Sequence, residues 1–180
     1  MKVKNLILVS LFAALTAIGA FIKIPMPISS FTLQFLFTAL AGILLGAKLG
    51  ALSQAVYVIL GLIGLPIFTQ GGGFTYIFNP TFGFLIGLIF SAYVIGKLTE
   101  KKTGILNISL ACLTGLLVLY LIGLPYMHII LTAYMAKPMT IWDSIKAGML
   151  IFLPGDFLKI IIASIVSNKV LPILKKDNLK

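Results

Sequence analysis

Apolar runs close to the length of a bilayer crossing recur along this chain and leave little of it to form a solvated surface. A helix that spans the hydrocarbon core needs about 20 mostly apolar residues. Six such runs are read at 5–22, 32–47, 49–65, 80–98, 104–124 and 154–171. Lys23 with Pro25 and Pro27 ends the first, Pro66 the third and Pro125 the fifth, while Pro80 suits a first helical turn. A shorter stretch, 139–150, reads as an interfacial helix, or as one that fuses with the last span into a kinked element. The first run is longer than the core of a usual secretion signal and is expected to be retained. Charged residues make up 10% of the chain and mean hydropathy is +1.15, against about 25% charged in soluble domains. The expected fold is an all-α, polytopic integral membrane protein: a single transmembrane domain over 1–180 with six helices.

All the basic residues are lysines, 14 in number, and the net charge is +10. Without arginine the chain lacks the bidentate fork favoured for nucleic-acid contacts, so the charge reads as membrane orientation. Lysine-rich short loops stay cytoplasmic. With the N-terminus inside, Lys2, Lys4, Lys48, Lys97, Lys101, Lys102, Lys169, Lys175, Lys176 and Lys180 all fall inside, and only Lys23 and Lys137 fall in outside loops. Both termini are therefore expected in the cytoplasm. The lone cysteine, Cys112, sits in an apolar run and permits no internal disulfide.

The outside loop 66–79 is uncharged, carries Gly71, Gly72 and Gly73, and is rich in aromatics: Phe68, Phe74, Tyr76 and Phe78. It reads as a lid over an apolar ligand, or as a loop anchored in the outer headgroup region. The strongest polar signal is Asp156 with Lys159, three residues apart and so on one helix face. Ionisable groups at membrane depth cost about 2.5–3.5 kcal/mol each on insertion scales and usually face a cavity. A structural ion pair is the alternative. Asn79, before Pro80, is a helix cap or a ligand contact. Gln34 bonds across helices or touches ligand. Ser10, Ala13, Ala14, Ala17 and Ala20 form a smooth strip on the first helix, for an internal neighbour or for another subunit. Comparable strips at Gly42, Gly46, Gly50 and at Gly83, Gly87 read as internal packing.

Several absences bound the function. No phosphate-cradling GxxxxGK[ST] occurs, so the chain is not expected to use ATP itself. No HExxH or serine elbow occurs, and only four acidic residues exist, so an enzyme is not expected. His128 stands alone, so no metal site is expected. Asp143 and Lys146 are placed to pair on the short helix.

The stretch FTLQFLFTALAGILLGAKLGALSQAVYVILGLIGLPIF, the glycine-rich loop, NPTFGFLIG and LPGDFLKIIIA together resemble the BioY family, the biotin-specific S components of energy-coupling factor transporters. The resemblance covers nearly the whole chain. It implies a vitamin pocket near the outer face of six membrane helices, closed over by loops, with biotin as transported ligand and no cofactor. It also implies a transmembrane coupling subunit docked on the small-residue motif of the first helix, here Ala13 and Ala17, and two cytoplasmic ATPases in a bacterial plasma membrane. Asn79, Asp156 and Lys159 match positions expected to line the pocket, and Gln34, Phe74 and Tyr76 are further candidate ligand contacts. The Asn of NPTFG departs from the common glycine. Biotin's ureido ring has two donors and one acceptor, its bicycle suits aromatic walls, and its carboxylate wants a cation. Another vitamin, a secondary transporter or a scaffold subunit are the alternatives.

Overall fold

The computed structural model describes residues 2–26, 28, 30–100 and 104–176, the side chains of Lys175 and Lys176 excepted. Pro27, Lys101, Lys102, Asp177 and Lys180 lie outside the described residues. The chain runs α1 (Val3–Phe21), a two-stranded antiparallel ribbon of β1 (Lys23–Pro25) and β2 (Ser30–Thr32), α2 (Gln34–Leu45) and α3 (Ala47–Leu62). A 3₁₀ turn at Phe74–Phe78 leads to α4 (Phe82–Thr99) and α5 (Ile105–Ile129). Then come the short α6 (Ile141–Ile145) and the long α7 (Leu153–Lys176).

Among the described residues, four helical segments are long and apolar enough to cross a membrane: Val3–Phe21, Phe82–Thr99, Ile105–Tyr134 and Ile141–Leu174. α2 and α3 are shorter than the runs read in the sequence. With 12 and 16 residues they extend roughly 18 and 24 Å at 1.5 Å per residue. The polypeptide before α2 and after α3 is ribbon and loop instead of helix. Irregular backbone is tolerated at membrane depth where protein buries it or where it lines a cavity, and here it does the latter.

The helix expected over 104–124 also differs: α5 continues through Pro125. A proline removes one backbone bond and crowds the carbonyl four residues back. It does not stop the helix here because Met127 and Leu131 beyond it are buried and hold the continuation in place. The wide turn Ile130–Tyr134 follows. A similar wide turn, Lys146–Leu150, connects α6 towards α7, so the two together form one bent apolar segment.

Close contacts fix the helix directions. Gln34 meets Tyr57 and Thr38 meets Gln54, so α2 and α3 run antiparallel. Gly83 abuts Tyr126 while Gly115 abuts Ile95, so α4 and α5 do too. Gly46, at φ +83°, turns the chain between α2 and α3 in a conformation that favours glycine. Small residues let backbones meet: a Cβ on Gly42 would lie 2.6 Å from the Ala92 carbonyl oxygen, and one on Gly96 2.4 Å from the Ala47 nitrogen.

Inside the bundle Gln54 clamps three helices. Its amide oxygen accepts from Thr38 Oγ1 at 2.9 Å, and its Nε2 donates to Thr16 Oγ1 and to Ser53 Oγ, each at 3.1 Å. All four side chains are buried. Polar groups in so apolar a setting must find partners, and satisfying them here pins α1 to α2 and α3.

The small-residue strip on α1 divides between two faces. Ala13 and Ala20 point into the core and Ala17 is half-buried, whereas Ser10 and Ala14 are exposed. Ala13 is therefore covered by the chain's own helices.

Candidate functional site

A cavity of about 90 Å³ opens between the ribbon, α2, α4, α5 and the head of α7. Each element delivers a specific side chain. The ribbon supplies Ser30, Phe31 and Thr32, with Phe31 opposite Ile24 and Thr32 opposite Lys23. α2 begins directly after the ribbon, its entry fixed by Leu33 N–H donating to the Gly19 carbonyl at 3.0 Å. Gln34 thereby faces the cavity from the first turn.

Asp156 and Lys159 both line the cavity and are each about 95% buried. Lys159 Nζ donates to Asp156 Oδ1 at 2.6 Å. Tyr120, from the middle of α5, donates its hydroxyl to Asp156 Oδ2. Lys159 Nζ also lies 4.0 Å from the centre of the Phe31 ring, a cation–π contact strengthened where water is excluded. That ring fits because residue 155 is glycine: a Cβ there would lie 2.1 Å from the Phe31 ring edge.

The remaining wall is mostly apolar, with Phe84, Leu85, Leu88, Leu119 and Phe152, plus the hydroxyls of Thr69 and Thr81. A mostly apolar site with a few convergent polar groups is the usual form of a small-molecule pocket. The groups present offer carboxylate acceptors, an ammonium and amide donors, and aromatic faces.

Of the residues singled out from sequence, Gln34, Asp156 and Lys159 line the cavity. Gln34 also bonds across helices, its Nε2 donating to Tyr57 OH at 3.0 Å. Asn79 does not line it. Its Oδ1 accepts from Thr81 N–H at 2.9 Å and Thr81 Oγ1 at 2.7 Å, and its Nδ2 donates to Gln70 at 2.7 Å. It thus organises the turn into α4 and orients the cavity-lining Thr81, since an Asn side chain readily bonds the backbone two residues on. Phe74 is 72% exposed and outside the cavity. Tyr76 is buried one layer behind it, its hydroxyl between those of Thr69 and Thr81 at 3.1 and 3.2 Å.

The 66–79 loop is a packed cap. Phe68 is 1% exposed, with ring contacts to Tyr57 at 5.5 Å and Tyr76 at 4.6 Å. Lys23 from the ribbon donates to the Thr69 carbonyl, and Tyr126 to the Ile77 carbonyl, so the cap is tied on both sides. His128 bonds Ser144 at 2.8 Å between α5 and α6. Asp143 closes a capping box with Thr140 and stands 4.0 Å from Lys146.

Tyr120, Thr81, Phe31 and Gly155 are not indicated by sequence. A tyrosine inside an apolar run is a legible clue, because a membrane-buried hydroxyl needs a partner. Its spacing names no partner on another helix.

Fold and site together define a membrane protein of the solute-transport class. The chain belongs to the BioY family, whose model matches residues 1–176. It is 38% identical over 173 residues to a protein of Lysinibacillus sphaericus named probable biotin transporter BioY, covering 95% of this chain and 88% of the relative. It is 36% identical over 165 residues to the biotin transporter BioY of Thermotoga maritima, covering 91% and 94%. Its fold matches, with a TM-score of 0.82 and 26% identity over 94% of this chain and 92% of the other, a crystal structure of the S component for biotin from an ECF-type ABC transporter.

Proposed function

We propose that this chain is the biotin-capturing S component of an energy-coupling factor transporter. The observation that carries the reading is the buried Asp156–Lys159 pair, gripped by Tyr120 and set against aromatic walls. A net-neutral polar centre in an apolar pocket suits a ligand with a polar head on a hydrophobic body.

Asp156 and Lys159 touch one another, so they serve the same end of the ligand. The ureido ring fits that end. Its N–H groups donate to the free lone pairs of Asp156, and its carbonyl accepts from Lys159 or Gln34. The valerate carboxylate then points to the outer mouth, where Lys23 donates to the carbonyl of the cavity-lining Thr69. A site of about 90 Å³ is below the roughly 300–1,000 Å³ usual for ligand pockets, so binding widens it. Phe31, on a short two-stranded ribbon, is the wall placed to move.

The same reading includes six crossings, both termini in the cytoplasm and residence in a bacterial plasma membrane. The alternating helix directions support it, as do the described lysines Lys2, Lys4, Lys48, Lys97 and Lys169 in inner positions under that topology. A transmembrane coupling subunit and two ATPases supply the energy. The exposed face of α1, with Ser10 and Ala14, offers the coupling subunit a docking surface.

The test is titration of the purified chain in nanodiscs with biotin, with desthiobiotin and riboflavin alongside. Saturable biotin binding, with riboflavin inert, is expected. Absence of biotin binding, or equal binding of riboflavin, would overturn the assignment.

A further inference from the structure

We infer that Tyr120 is a positioning residue for ligand capture: its hydroxyl sets the plane of the Asp156 carboxylate, and its ring walls the pocket off from the bilayer. The inference rests on the proposed ligand role of Asp156. Three observations converge on it.

The two carboxylate oxygens have different partners. Lys159, one turn along the same helix, takes Oδ1 at 2.6 Å, and Tyr120, from α5, takes Oδ2. With Lys159 alone the carboxylate could turn about its own bond while keeping the ion pair. A second donor from another helix removes that freedom and aims the remaining lone pairs into the cavity. The hydroxyl is itself held, because the Tyr120 ring stands edge-on to Phe84 of α4, with centroids 6.4 Å apart and planes at 89°.

Tyr120 also borders a second hollow, of about 440 Å³, between α5 and the α6 arm. Apart from the bonded His128–Ser144 pair, apolar groups such as Leu124, Ile145 and Met149 line it. Leu117 and Leu121 in its wall are 61% and 73% exposed, as apolar side chains on a spanning helix are where they meet lipid. The tyrosine ring is thus a shared partition: polar pocket on one side, lipid-facing hollow on the other. On that second side nothing competes strongly for its hydroxyl, which keeps it on Asp156.

A structural tyrosine that merely fills space and one that positions Asp156 differ in a double-mutant cycle. Biotin is titrated against the full chain in nanodiscs as wild type, Tyr120→Phe, Asp156→Asn and the double variant. Ligand-free thermal unfolding is recorded for each. Tyr120→Phe removes one oxygen and keeps the partition, so the fold is expected intact. Its biotin affinity is expected to fall about tenfold, and the double variant to bind no more weakly than Asp156→Asn alone. Wild-type affinity in Tyr120→Phe, or losses that multiply in the double variant, would overturn the positioning role. If Asp156→Asn itself binds as wild type, the ligand role of Asp156 fails, and the role of Tyr120 with it.

Discussion

At the residue scale, the site rests on a pair of charges that must stay together. Desolvating two ions is costly, and removing one partner of a buried pair leaves the other uncompensated, at about 3–5 kcal/mol. Asp156→Ala is therefore expected to lower the thermal unfolding temperature markedly even without ligand, as well as to weaken biotin binding at least tenfold. An unfolding temperature equal to wild type would mean that Lys159 finds another partner or reaches water. Replacing both residues by apolar ones of similar volume should restore stability but not binding. The pair itself is legible in the sequence, because two opposite charges three apart in an apolar run share a helix face and each lowers the cost of burying the other. The identity of their third partner is not legible. Tyr120 lies 36 residues from Asp156 in sequence, and no local pattern links them.

At the element scale, the end of the molecule around the cavity mouth is built from pieces too short to stand alone. A two-stranded ribbon is marginal by itself, and loop 66–79 has one isolated bridge, between Phe68 and Gly71. Both keep their shape by inserting aromatic side chains into the bundle. Phe68 fills the space between Tyr57 and Tyr76, and truncation of such a buried ring costs about 3–5 kcal/mol. Phe68→Ala is expected to loosen the cap. Hydrogen exchange should rise across 66–79 while the cores of α4 and α5 stay protected. Uniform exchange changes along the chain would show that the cap has no separate stability. In the sequence, the loop's glycines and aromatics signal a pliable lid. Composition alone does not tell which aromatic faces inward: Phe68 is buried and Phe74 exposed within the same short loop.

At the scale of the whole molecule, α1 joins the inside to the outside. Its inner face is pinned by the Gln54 clamp and by Ala13, and its outer face carries Ser10 and Ala14 between exposed leucines and isoleucines. The two faces predict opposite phenotypes. Ala13→Trp overpacks the core and is expected to destabilise the isolated chain, since misfitting bulk costs about 1–3 kcal/mol or more. Ala14→Trp is expected to leave folding and biotin binding intact but to reduce uptake when the chain is reconstituted with its energising partners. Full uptake with Ala14→Trp would remove this face of α1 from the docking surface.

Hydropathy and the Asp156–Lys159 spacing determined by themselves that the chain is a helical membrane protein with a polar centre near the start of its last helix. They did so because the bilayer punishes unsatisfied polar groups so severely that each deviation from an apolar run carries information. What only the tertiary structure decided is which deviations meet. Gln34 joins the pocket, whereas Asn79 turns to Thr81 and Gln70. Ala13 faces inward, and Tyr120 reaches across from α5. The direction of a side chain is set by the rotation and crossing of packed helices, a property of neighbours distant in sequence that no single run of residues encodes.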